Sequence, residues 1–123
     1  MLYKILYKMK FSFQTNYSLK QRLDESKRIL DKYPDKIPII VETNDKELPP
    51  LLKTKYLAPK DLTFGQFLYV IRGKLNLPPE KALFMFVNNT IPSTSDLIQL
   101  VYDKQKYKDN FLYISVNSEN TFG

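Results

Sequence analysis

Thr63 and Gln66 bracket the first turn of a segment that constrains the fold more than any other in this chain. A threonine followed three residues later by a glutamine is a capping box. Its hydroxyl accepts from one unpaired helical N–H, and the amide reaches back to another. Behind it Phe64, Phe67, Leu68, Ile71 and Leu75 recur at i, i+3, i+4, i+7 and i+11, a single apolar stripe. Pro78-Pro79 bars continuation of the helix. A helix patterned in this way must lay its stripe on another apolar surface.

Runs on both sides supply that surface. Ile37–Glu42 is β-branched and predicts a buried strand, with Pro38 at its start or at a position needing no donor. Lys53–Ala58 alternates weakly, ends at Pro59 and suits an edge strand. Ala82–Val87 is continuously apolar and predicts a central strand. Asn88-Asn89 supplies positive φ for a tight turn. Ser95 or Asp96 is expected to cap a short helix containing Leu97, Leu100 and Val101, and Phe111–Val116 is a last strand. Asn117–Gly123, polar apart from Phe122, is expected to be a loose tail.

Upstream, Ser18 is the expected N-cap of a helix carrying Leu19, Leu23, Ile29, Leu30 and Tyr33, with Asp24 and Arg28 as an ion pair and Pro34 as its stop. Met9–Tyr17 reads as a further short helix or an irregular arm. The order is that of an α+β domain with four strands and one face covered by a helix. The matching topology is a ubiquitin-like β-grasp with a mixed sheet and an added N-terminal helical segment.

Composition narrows the function. The chain has 123 residues, enough for one domain with one core. It has neither Cys nor His, which excludes thiolate or imidazole zinc sites and any nucleophile that depends on a histidine base. Three glycines cannot build a glycine-rich phosphate loop. No acid/base pair emerges, so an enzyme is the least favoured class and no cofactor is implied. A formal charge of +6 would suit nucleic acid, anionic lipid or acidic peptides, or mere solubility. No apolar run approaches the roughly 18 residues that span a bilayer, and Met1–Lys10 lacks the organisation of a signal peptide. These absences fit the cytosol.

Six stretches carry a resemblance. They are Lys-Tyr-Pro-Asp-Lys-Ile-Pro (32–38), Lys-Tyr-Leu-Ala-Pro (55–59), Asp-Leu-Thr-Phe-Gly-Gln-Phe (61–67), Ala-Leu-Phe-Met-Phe-Val-Asn-Asn (82–89), Phe-Leu-Tyr-Ile (111–114) and Glu-Asn-Thr-Phe-Gly (119–123). In this order and spacing the chain resembles the GABARAP and light-chain family of ubiquitin-like autophagy modifiers, from about Met9 to Gly123. The organisation this implies is an extension over 1–8, a helical segment over 9–34, a ubiquitin-like domain over 35–116 and a conjugation tail over 117–123. The family's Met-Lys-Phe start falls at Met9-Lys10-Phe11. Either translation begins there, or Met1–Lys8 adds something; as a basic and apolar arm it could touch an anionic membrane, and the favoured reading is an arm that packs on the domain or is disordered. Many relatives carry residues beyond the glycine that a protease removes, whereas Gly123 already ends this sequence.

The resemblance implies that the Gly123 carboxyl is activated and passed by E1-like and E2-like enzymes to phosphatidylethanolamine, with Phe122 seating the tail. It also implies a deconjugating cysteine protease, and a cytoplasmic monomer that becomes membrane-bound on autophagosomes or vesicles when lipidated. Cargo receptors with an aromatic-x-x-aliphatic motif would add a strand at the Lys53–Leu57 edge. The aromatic pocket would use Glu25, Ile29, Pro38, Lys55, Leu57 and Phe111. The aliphatic pocket would use Tyr56, Ala58, Pro59, Leu62, Phe67 and Val70. Lys36 and Lys53 would meet acidic residues ahead of the motif. Partial core membership is expected of Leu62 and Phe67, and exposure of Tyr56 and Pro59. Arg72 also matches the family and reads equally as a surface helix residue.

One alternative is a modifier joined to a protein, although the related protein-conjugated modifier ends in Trp-Gly and this chain has no Trp. A basic nucleic-acid module is a second, disfavoured because the aromatic run Phe84–Phe86 holds no basic residue.

Overall fold

The computed structural model describes residues 9–118. In chain order the elements are α1 (Ser12–Asn16), α2 (Leu19–Lys32), β1 (Lys36–Glu42), β2 (Lys55–Pro59), α3 (Phe64–Leu75), β3 (Phe84–Phe86), α4 (Ile98–Gln105) and β4 (Leu112–Asn117). The strands form one sheet in the order β2-β1-β4-β3. β1 and β4 run parallel in its centre, and the two outer pairings are antiparallel. This is the mixed four-stranded sheet expected, with α3 across it.

Local chemistry accounts for the helices. Thr63 Oγ1 accepts from Gln66 N at 3.1 Å and Gln66 Oε1 accepts from Thr63 N at 2.9 Å, the two halves of the capping box. α3 then ends on Asn76, a left-handed residue (φ 53°) whose N–H reaches back to the Arg72 and Gly73 carbonyls. Ser18 and Gln21 form a second capping box at the start of α2. Gly65 permits a close approach, because a Cβ there would meet the Thr94 side chain and carbonyl at 3.0 Å.

The main core lies between the sheet and α3 with α4. It takes Ile37, Ile39 and Val41 from β1, Leu112, Ile114 and Val116 from β4, and Phe64, Phe67, Ile71 and Leu75 from α3. The opposite face is covered too, contrary to the one-sided expectation. Ile40, Phe111 and Tyr113 form a second cluster with Phe13 of α1, and Phe11, Ile29 and Tyr107 pack against it. The N-terminal segment is thus the lid of the second face.

Four local expectations are corrected. Ala82–Val87 is not a central strand: β3 is three residues long and sits at the sheet's edge. Its run is apolar throughout because Leu83, Met85 and Val87 enter the main core while Phe86 is buried as well. Asp24 pairs with Lys20 at 3.2 Å rather than with Arg28, and Lys27 with Asp31 at 3.1 Å. Neither Ser95 nor Asp96 caps α4. Its N-cap is Leu97, without a side-chain bond, and Phe64 N donates to the Asp96 carbonyl. β4 continues through Asn117, so the ordered chain extends past residue 116. Asn88 and Asn89 do take positive φ (50° and 64°), closing a tight turn on the Val87–Thr90 bridge.

Pro38 is buried within β1 at no cost to the ladder. Val41 N donates to Thr54 O at 2.8 Å, so odd-numbered residues of β1 bond toward β2. Pro38 therefore faces the β4 side, one residue ahead of the first β1–β4 pair, Ile39 with Leu112.

Candidate functional site

β2 forms the outer edge of the sheet beside β1. Since Tyr56 and Ala58 take the bonded positions toward β1, the N–H and C=O groups of Lys55 and Leu57 point away from the sheet. The strand's side chains alternate strictly, with Lys55, Leu57 and Pro59 exposed and Tyr56 and Ala58 buried. The edge thus offers open backbone groups between two different apolar surfaces, one on each side of the sheet.

The α2 side gathers the residues expected to form the aromatic pocket. Leu57 pairs across the strands with Pro38, and Lys55 with Ile40. Glu25 and Ile29, one turn apart on α2, face this strip. Lys55 Nζ donates to Glu25 Oε2 at 2.7 Å, joining strand to helix. Lys55 also lies 5.6 Å from the centre of the Phe13 ring. Phe111 is 1% exposed, so it is the floor of this surface rather than an open wall. Leu57, at 41%, meets solvent on this side of β2.

The α3 side gathers the second set apart from Pro59, which shares the parity of Lys55 and Leu57. Tyr56, Ala58 and Phe67 belong to the main core, with the Tyr56 and Phe67 rings edge-to-face at 5.8 Å. Leu62 is half-buried and Val70 exposed. Pro59 is exposed at the strand end, where its carbonyl accepts from Leu62 N at 3.2 Å. The expected exposure of Tyr56 is corrected: it is 7% exposed, its hydroxyl donates to the Lys53 carbonyl at 3.1 Å, and burial pushes its phenol up. Strand parity decides this, because the even residues of β2 face α3. Lys53 is exposed and lies 4.9 Å from the Tyr56 ring centre, whereas Lys36 is half-buried at the start of β1.

Phe122, Gly123 and the arm Met1–Lys8 lie outside the described residues. Arg72 has a structural task. Its guanidinium donates to the Pro78 carbonyl at 3.3 Å and to the Lys81 carbonyl at 2.5 Å, bracketing the turn after α3. Among the described residues no acidic, Cys or His cluster is arranged to hold a metal ion, and no helix is long and apolar enough to cross a membrane. A cavity of about 470 Å³ lies away from β2, lined by Met9, Phe11, Tyr107 and Tyr113 among others.

Two polar clusters went unread in the sequence. Asp109 is fully buried and accepts from Arg22 Nη1 at 2.6 Å, from the Tyr113 hydroxyl at 2.5 Å and from Phe111 N at 3.0 Å. Burial alone would lower the Arg22 guanidinium, but its bonds to Tyr113 and Asp109 outweigh this and raise it. Burial, then the bond to Asp109, drives the Tyr113 phenol well above its ordinary range. At the end of β1, Glu42 accepts from Ser12 N, Ser12 Oγ and Phe13 N at 2.7–3.0 Å, tying α1 to the sheet. No local spacing signals either cluster.

The family model described as autophagy protein Atg8, ubiquitin-like, matches residues 21–123. The chain belongs to the Atg8 family. Autophagy-related protein 8 of Vanderwaltozyma polyspora is 51% identical to it over 116 residues, 94% of this chain and 98% of that protein. Autophagy-related protein 8A of Oryza sativa subsp. indica is 50% identical, over 91% of this chain and 95% of the relative. The crystal structure of Trypanosoma brucei ATG8 superposes with a TM-score of 0.85 at 33% identity, covering 94% of this chain and all of that one. Plasmodium falciparum Atg8, solved in complex with a P. falciparum Atg3 peptide, gives 0.83 at 31%, covering 90% of this chain and 98% of that one. This Atg8-family chain is therefore a ubiquitin-like autophagy protein, as the six stretches implied.

Proposed function

We propose that the chain is a conjugated adaptor, joined through the Gly123 carboxyl to the amine of phosphatidylethanolamine and recruiting partners through the β2 edge. ATP converts the carboxyl to an adenylate with loss of pyrophosphate. A cysteine thiolate of the E1-like enzyme displaces AMP, and the thioester is exchanged onto an E2-like enzyme. The lipid amine then attacks the thioester carbonyl, forming an amide and expelling the thiolate. Glycine leaves that carbonyl uncrowded. The product is cytoplasmic protein held at a membrane, and a cysteine protease reverses the bond.

The observation that carries the docking half is the placement of two apolar surfaces on opposite faces of one edge strand. In an extended peptide, residues three apart point to opposite sides. A strand added at β2 would therefore send an aromatic residue toward Ile29, Pro38 and Leu57, and an aliphatic one three positions later toward Leu62, Phe67 and Val70. The peptide backbone pairs with Lys55 and Leu57. Each buried anchor contributes roughly 1.5–3 kcal/mol, the right scale for micromolar binding near 8 kcal/mol once strand pairing is added. Lys36 and Lys53 favour acidic residues ahead of the motif and speed encounter. The relative solved with an Atg3 peptide supports an E2-like partner.

The test is incubation with activating and conjugating enzymes, ATP and phosphatidylethanolamine liposomes, read by mass spectrometry. A lipid adduct lost in Gly123→Ala is expected. Absence of the adduct, or undiminished yield from Gly123→Ala, overturns the reading, and an adduct on a protein lysine supports the protein-conjugated alternative instead.

A further inference from the structure

Beyond the end of β1 the chain doubles back on the root of the C-terminal tail. Thr43 Oγ1 donates to the Val116 carbonyl at 2.5 Å and accepts from Asp45 N at 3.0 Å. Asp45, so placed, accepts from both Ser118 N at 2.7 Å and Ser118 Oγ at 2.6 Å through Oδ2. Its other oxygen accepts from Glu47 N at 2.9 Å. Burial pushes this carboxyl up, but the bonds from Ser118 and Glu47, with Lys81 nearby, outweigh it and hold the group below its ordinary range. The β1–β4 ladder stops at Ser115 and the β3–β4 ladder at Asn117. Ser118 lies beyond both, so its position is set by Asp45.

We propose that Asp45 is a positioning residue that clamps Ser118, so that the chain beyond it leaves the domain from a fixed point and heading toward the enzymes that act on Gly123. This inference rests on the reading of Gly123 as the acyl donor. Ser118 adds nothing to either apolar core, so the clamp's effect falls on the tail. A carboxylate taking two bonds from one residue is a strong, directional hold. Without it, seating the glycine while the domain is bound requires ordering the root as well, and that cost falls on association rather than on chemistry.

Two measurements on the full chain test this. The first needs no enzyme: amide hydrogen exchange at Ser118. Protection is expected in the wild type and lost in Asp45→Ala, while Ile114 and Val116 keep theirs. The second is steady-state transfer to phosphatidylethanolamine liposomes. Asp45→Ala should raise KM for this chain by about tenfold, the scale of releasing a residue or two of backbone, with kcat little changed. Ser118→Ala, which keeps the N–H bond, should give a smaller rise, and Ser118→Thr should restore the wild-type value. Failure of the wild type to conjugate overturns the Gly123 reading and the clamp's role with it. A conjugating wild type whose KM is unmoved by Asp45→Ala, or a freely exchanging Ser118 amide, overturns the clamp alone.

Discussion

Arg22 of α2 and Asp109, which precedes β4, meet at 2.6 Å with side chains only 8% and 0% exposed. The pair pins the N-terminal helices to the ubiquitin-like sheet. The Tyr113 hydroxyl completes it from β4, and Arg22 Nε donates to the Tyr17 carbonyl at 3.2 Å. Removing one partner leaves the other charged and dry. Arg22→Ala is expected to lower unfolding free energy by about 3–5 kcal/mol. The double variant Arg22→Met, Asp109→Leu should lose less than the two single changes summed. Denaturant unfolding of the wild type, the three single variants and the double variant measures this.

Stability should also fall at alkaline pH. Burial and then Asp109 hold the Tyr113 phenol above its ordinary 10.0. The native state keeps a proton that the unfolded chain gives up near that value, so this contribution is complete below pH 10 and fades as pH rises past it. Melting temperature against pH should show a decline in Tm beginning there. Tyr113→Phe should flatten that arm while lowering neutral stability by about 1.5–3 kcal/mol, the scale of a bond to a charged group.

Asp45 sets the acid arm. Its carboxyl is held below the ordinary 3.8 by Ser118 and Glu47 against the opposing effect of burial. Its contribution is present above that pH and is lost as pH falls through the native value. Asp45→Asn should therefore show a shallower stability loss below pH 4 than the wild type, read by circular dichroism.

The two faces of β2 should separate binding from folding. Leu57→Ala and Val70→Ala remove exposed groups, and each should leave stability within about 0.5 kcal/mol while weakening an aromatic-x-x-aliphatic peptide by about tenfold. Tyr56→Ala and Phe67→Ala empty the core and should cost about 3–5 kcal/mol. Calorimetric titration beside thermal melts tells these apart, and unchanged affinity in Leu57→Ala counts against the groove.

What could be read from sequence was local. Thr63 with Gln66, Ser18 as an N-cap, and Asn88-Asn89 each act on backbone within a few residues, so their chemistry shows in spacing. The burial of Tyr56 is hidden although its alternation with Leu57 is visible, because a tyrosine next to lysines on an edge looks like a surface residue until the parity of the strand is applied. The run 82–87 does not reveal its edge position, because apolar residues on both faces show only that both faces are covered, and Leu83, Met85, Phe86 and Val87 are all buried in a run whose strand has a single neighbour. Arg22 with Asp109 and Asp45 with Ser118 join distant parts of the chain, and no spacing rule reaches that far. The six family stretches pointed to the β2 groove more directly than periodicity did.

The central pairing of β1 with β4 has a consequence for biosynthesis. Thr43 and Val116, which meet just past that ladder, are 73 residues apart in the chain. Contacts of such separation close late, after the loop entropy between them has been spent. A growing polypeptide must therefore emerge through β4 before its central strands can meet. The root of the tail takes its place only in a finished domain, so a conjugating enzyme that needs that root in position would discriminate against incomplete or misfolded copies.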